Sequence, residues 1–366
     1  MKPSRLILPL LLLTAGGSML LGLYTGLIRS GLIVPGELHL DGIMHGPLMI
    51  NGFLGTLISV ERAAALQKSW TFAAPVCMAL ATLLLLLGLP ETGGYFLIAG
   101  SVLLVGILGY LFILQPVAYH VIMLIAGLAL LAGNLLFIAS QPIHELVIWW
   151  VAFPMLTIFG ERLELNRIMR PPKHAVYLFT ALIGLWIVAA IFLHWDQSLP
   201  WYLQALLLIV MAVWLIRYDV ARRTIRSTGW TRYSALCLFS GYGWLILAGI
   251  YGLFSGYQIA GPAYDALLHM IFVGFVFSMI FAHAAIIFPA LTGRYIPYHL
   301  YFYVPFGLLH GFLALRVIGD ISWIPLLQTV GSYGNVAAIL LFIAGIITQL
   351  IRSRGEVEIK AHTASN

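Results

Sequence analysis

Residues 118–139, AYHVIMLIAGLALLAGNLLFIA, run 22 positions without an Asp, Glu, Lys or Arg. A helix rises 1.5 Å per residue, so about 20 such residues cross the ~30 Å hydrocarbon core of a bilayer. The run shows no polar–apolar alternation, and in lipid only a helix would then pair all of its own backbone groups. Working outward in both directions, comparable runs fall near residues 5–28, 38–66, 70–89, 94–114, 145–166, 175–194, 200–217, 232–254, 263–291, 298–318 and 325–351. The expectation is an all-α membrane protein with about twelve transmembrane helices.

Composition supports this independently. With 61% hydrophobic and 9% charged residues and a mean hydropathy of +1.00, the chain lacks the polar surface to cover a water-soluble globule. Lipid is therefore its expected solvent, and a β-barrel is excluded by the unalternating runs. The formal charge of +6 comes from 19 Lys and Arg dispersed over short connections, which argues against a nucleic-acid partner. Cys77 and Cys237 each lie inside an apolar run, so neither a disulfide framework nor a thiolate cluster is expected. Met1 to Arg5 resemble the start of a signal peptide, but apolar residues continue to Ile28, long enough for an uncleaved first helix. Residues 1–351 read as a single polytopic transmembrane domain, and 352–366 as a polar cytoplasmic tail, the one candidate for a disordered piece.

Basic residues occupy alternate connections: Lys2 and Arg5; Lys68; Arg167, Arg170 and Lys173; Arg222, Arg223 and Arg226; Arg294; Arg352 and Arg354. The positive-inside rule then places both termini in the cytoplasm of a bacterial-type inner membrane. Arg29 and Arg316 depart from the pattern, falling near the outer face. A faint repeat is also present: Thr56 to Glu61-Arg62 closes the second span, Thr157 to Glu161-Arg162 the sixth, and Thr292-Gly293-Arg294 the tenth. Spans four apart sharing an ending suggest three repeats of four helices.

Ionisable residues are costly in lipid and tend to face a cavity, partner or cofactor, so histidines within spans are the first candidates. They are His45, His120, His269, His283 and His310; His39, His144, His174, His194 and His299 fall at span ends, and His362 in the tail. His45 and His269 each follow their span's outer end by the same interval, about 10 Å of helix rise. Equal depth is what two axial ligands of one haem need, and Gly42, Gly46, Gly52 and Gly274 would let a flat macrocycle approach. The same glycines and histidines also read as helix-packing positions. Arg316 would either receive a propionate or pair with Asp320 four residues on. His283 lies roughly 21 Å deeper than His269 near one face with it, a place for a second metal, a proton path or a satisfied core histidine. Glu61, Glu161 and Glu164 are relay carboxylates or interfacial charges ending a span. No phosphate-binding glycine loop, zinc-protease helix or nucleophile elbow is present.

The segments His45-Gly46-Pro47-Leu48-Met49 and Leu268-His269-Met270-Ile271-Phe272-Val273-Gly274, with Met279 and Thr292-Gly293-Arg294 beyond, resemble the NnrS family of haem- and copper-containing membrane proteins. More distantly they resemble subunit I of the haem-copper oxidases, in which His-Gly and a nearby Met surround the low-spin ligand. The resemblance implies a twelve-helix oxidase-like bundle, haem b held by His45 and His269, Met49 close to it, a redox partner protein, and a role in electron transfer or the nitric oxide and nitrogen-oxide response. It departs from the oxidases in the sixth span, Glu145-Leu-Val-Ile-Trp-Trp-Val-Ala-Phe-Pro, which lacks the histidine and tyrosine of a copper centre. Copper is therefore unsupported by the ligand pattern, and oxygen reduction is not expected. Two other readings stay open: a secondary transporter of a small solute or metal with helices broken at Pro47, Pro154 and Pro289, and a cofactor-free assembly protein.

Overall fold

A computed structural model describes residues 4–31, 42–292 and 295–364. Lys2, His39, Gly293 and Arg294, which entered the charge, histidine and repeat readings, lie outside the described residues. The structure is 87% helix, with no strand among the described residues. Twelve helices there are long and apolar enough to cross a membrane. Spans 1 to 6 are Ile7–Arg29, Gly42–Leu66, Ser69–Leu86, Pro90–Leu114, Ala118–Ile138 and Ile143–Met169. Spans 7 to 12 are Lys173–Phe192, Leu199–Tyr218, Gly229–Ser255, Pro262–Pro289, Leu300–Ser322 and Pro325–Arg352. The protein is an all-α, multi-pass membrane protein whose environment is the lipid bilayer.

The chain gathers into two units, each described by itself: Met1–Arg167 with Pro172–Pro200, and Ile168–Pro171 with Trp201–Asn366. Short connections make sequence neighbours pack antiparallel within each unit, as for spans 3 and 4, 5 and 6, and 11 and 12. Asp196, in the turn between spans 7 and 8, accepts hydrogen bonds from the Ser198 amide (2.9 Å) and hydroxyl (2.7 Å), which hold its carboxyl below the usual range. In the second unit the fully buried Asp219 accepts from the Ala221 amide at 2.8 Å and the Tyr242 hydroxyl at 2.7 Å, tying the end of span 8 to span 9.

Two spans change helical register where the candidate histidines lie. In span 2 a 3-10 turn (Gly42–Met44) leads into His45–Pro47, then a π-helix over Leu48–Gly55, then α-helix from Thr56 to Leu66. Pro47 has no N–H to return to the preceding turn, and behind it the register widens. In span 10 the α-helix Pro262–His269 gives way to a π-helix over Met270–Phe277 and returns to α-helix at Ser278. Pro154 and Pro289, by contrast, lie inside continuous helices. The last helix runs Pro325–Ala364, so it continues into the polar segment after residue 351.

Spans 11 and 12 approach until backbone meets backbone. A Cβ on Gly331 would lie 2.5 Å from the amide nitrogen of Arg316, a contact no side-chain rotation relieves. Gly331→Ala should therefore force the spans apart, at the overpacking cost of about 1–3 kcal/mol. The expected readout is a lower thermal midpoint in detergent than for Gly307→Ala, where a Cβ meets nothing within 4 Å.

Candidate functional site

In the first unit the ring of His45 lies against span 1. Its Nδ1–H donates to the Gly22 carbonyl at 2.7 Å, and a Cβ on Gly26 would sit 2.9 Å from its Cε1. A carbonyl oxygen can only accept, so Nδ1 carries a proton, and in the neutral ring the lone pair is then on Nε2, the tautomer a metal-ligating imidazole needs. Met49 packs against the same helix, its Sδ 2.6 Å from where a Gly22 Cβ would stand. Gly46 is covered by Trp150 of span 6, whose ring would lie 3.2 Å from a Cβ there.

Trp150 is held in turn by a buried polar network. Its indole N–H donates to Asn134 Oδ1 at 3.0 Å, while Asn134 Nδ2 donates to Asn51 Oδ1 and to Ser101 Oγ, each at 2.8 Å. Asn51, Ser101 and Asn134 are all fully buried and come from spans 2, 4 and 5. Asn51 belongs to the π-helical segment, so the network grips span 2 where its register is widened. At the far end of the same span, Arg62 bonds Glu161 of span 6 and lies 3.5 Å from Glu61.

In the second unit His269 also commits Nδ1, but to the carbonyl one turn back in its own helix rather than to another span. Its Nδ1–H donates to the Asp265 carbonyl at 2.8 Å and lies 3.3 Å from the Asp265 carboxylate, which in the neutral ring leaves the lone pair on Nε2. Arg316 of span 11 donates to that carboxylate at 2.6 Å, with its Nε 4.0 Å from Asp320 Oδ2. The Asp320 pairing foreseen from helical spacing is thus the longer contact, and the shorter one joins residues 51 positions apart. Gly274 is covered by Trp244 of span 9, where a Cβ would lie 2.5 Å from the indole. Trp244 donates to His310 Nδ1 at 2.9 Å, as Trp150 does to Asn134. His283 donates Nδ1–H to the Met279 carbonyl at 2.7 Å.

A family model described as a domain of unknown function (DUF8744) matches residues 5–351. The chain belongs to that family. The DUF8744 match runs through spans 1 to 11 and nearly all of span 12, so both histidine sites lie inside it. No curated protein matches the sequence.

Within this DUF8744 chain, His45 and His269 each have an orienting acceptor behind the ring, as an imidazole that held a metal would need. Asp265 makes the second of these a carboxylate–histidine pair with an arginine fixing the carboxylate. Elsewhere His120 donates to the Gln115 carbonyl at 2.8 Å, and His194 accepts from Trp149 at 3.2 Å. Among the described residues no three His, Cys, Asp or Glu side chains group as a metal site would need. Residue patterns had not pointed to Trp150, Trp244, Asn51, Asn134 or Asp265. The two asparagines carried a visible signal, an uncharged amide in the middle of an apolar run.

Proposed function

We propose that the protein is a haem-b-binding inner-membrane protein in which His45 and His269 are the axial ligands. The observation that carries this reading is their matched setting. Each imidazole commits Nδ1–H to a backbone carbonyl, keeps its lone pair on Nε2, and stands at or just before the entry to an eight-residue π-helix. π-Helical segments are rare and concentrate at functional sites. The resemblance to the NnrS family points the same way.

Within this reading, Gly22 and Asp265 orient the two ligands, and Arg316 fixes Asp265 with Nη2 while its remaining donors serve a propionate. The basic connections at Lys68, at Arg170 and Lys173, and at Arg222, Arg223 and Arg226 support cytoplasmic termini, which puts both histidines toward the outer face. A bound haem b would supply one-electron chemistry, with a role in electron transfer or the nitric oxide response implied by the resemblance.

The test is the visible spectrum and pyridine haemochrome of the detergent-purified protein, expressed with ample haem. A low-spin spectrum is expected, lost in His45→Ala and in His269→Ala and retained in His283→Ala. Protein that is folded but shows no Soret band overturns the proposal.

A further inference from the structure

The first unit contains a line of buried polar atoms that haem ligation does not use. Down span 2, Asn51, Thr56 and Ser59 are each fully buried, and Arg62 follows one turn later with its side chain 12% exposed. Among the described residues Asn51 Nδ2, Ser59 Oγ and Arg62 Nε have no hydrogen-bond partner. Span 6 flanks the same line, meeting span 2 through Trp150 over Gly46 at one end and through Glu161 on Arg62 at the other. Between them Thr157 is buried as well, one turn from Glu161.

Orphaned polar groups in a low-dielectric interior cost about 1–3 kcal/mol each, and three along one seam would be a heavy load for a structural interface. Leu, Ile or Val at these positions would pack the seam without that cost. A buried polar group without a protein partner is ordinarily served by water, which bridges two to four such groups. The seam also has an open end for supply, since Glu61 is 30% exposed beside Arg62. Beyond the charged mouth at Glu61, Arg62 and Glu161, the buried polar side chains named along the seam, Thr56, Ser59, Thr157 and Asn51, are uncharged, which suits a neutral occupant.

We propose that this seam is a water-filled half-channel, running from the Arg62–Glu161 pair to Asn51 in the interior of the first unit. It brings water, and with it a hydrogen-bonded route for protons, up to the Asn51–Asn134–Trp150 network that covers Gly46 beside His45. The proposal stands whether or not a haem is bound.

Hydroxyl-radical labelling by X-ray radiolysis, read by mass spectrometry on the full chain in lipid nanodiscs, tests it, because radicals formed from bound water oxidise the side chains beside it. Met78 lies beside span 2 at Gly55, which falls between Asn51 and Ser59 in the chain; the Met78 Sδ is 3.6 Å from where a Gly55 Cβ would stand, and Met211 of the second unit is an equally buried methionine. Met78 and Trp150 are expected to oxidise several-fold faster than Met211, and Asn51→Leu or Ser59→Ala should slow both. If Met78 is labelled no faster than Met211 in the wild-type protein, the half-channel is overturned, and this comparison holds even where a variant fails to fold.

Discussion

Arg316→Leu is expected to lower the unfolding free energy in detergent by about 2–4 kcal/mol, close to what breaking a buried ion pair costs. The substitution leaves Asp265 without the guanidinium that bonds it at 2.6 Å, and leaves Asp320, 4.0 Å from the same group, without its nearest cation. Two carboxylates then share a largely buried site, with the His269 imidazole 3.3 Å from Asp265. The Asp265 side chain retains 28% exposure, which keeps the figure below the upper end for such pairs. Arg316→Lys should recover only part of the loss, because one ammonium cannot reach both carboxylates as a planar fork does. Asp265→Asn in the Arg316→Leu background should recover part of it, since one of the two stranded charges is then gone while Asp320 keeps its own. A surface-like cost below about 1 kcal/mol for Arg316→Leu would show that water, not Asp265, is the effective partner of this arginine. Since Asp265 also backs His269, Arg316→Leu should broaden or shift the low-spin absorption of haem-loaded protein, whereas the double variant should narrow it again.

The number and placement of the spans were legible because run length in lipid is set by the bilayer, not by tertiary context. Residues 118–139 read as a span, and the helix is Ala118–Ile138; 38–66 was read where the described span is Gly42–Leu66. Local side-chain spacing was legible too: Asp320 stands one turn after Arg316 and does approach it. What stayed hidden was everything fixed by another helix. The acceptor behind His45 is Gly22, in a different span, and the closer partner of Arg316 is Asp265, in another again. The π-helical segments left no periodic trace, because a register change displaces apolar residues onto other apolar neighbours and hydropathy does not register it. The roles of Gly46 and Gly274 were read as room for a macrocycle, yet a bare Cα records only that something approaches. Here the groups that approach are Trp150 and Trp244. The polar segment after Arg352 reads as a tail from composition, while the last helix continues to Ala364.

Asn134→Leu should be the most damaging uncharged substitution in the first unit. Asn134 uses both amide hydrogens and its oxygen, on Asn51, Ser101 and Trp150, so its loss strands an acceptor and an indole N–H and removes a bond from Ser101 in one step. Each stranded group costs about 1–3 kcal/mol by soluble-protein measure, but hydrogen bonds between transmembrane helices average nearer 0.6 kcal/mol, so about 2–4 kcal/mol in total is expected. Asn51→Leu removes only one of the three bonds and should cost at least about 1.4 kcal/mol less, a tenfold smaller change in the unfolding constant. Equal losses from the two would mean that the amide of Asn51, not that of Asn134, is the hub. The effect should also reach His45. Trp150 covers the Gly46 backbone immediately after it, and without Asn134 its indole N–H loses the hydrogen bond that fixes it, leaving the ring held by packing such as that against Phe137 and Gly133. In haem-loaded protein, Asn134→Leu should therefore weaken the low-spin spectrum more than Asn335→Leu, which removes a single bond to the Leu309 carbonyl in the second unit. Equal spectra from these two variants would restrict the network to holding helices together and remove it from the positioning of His45.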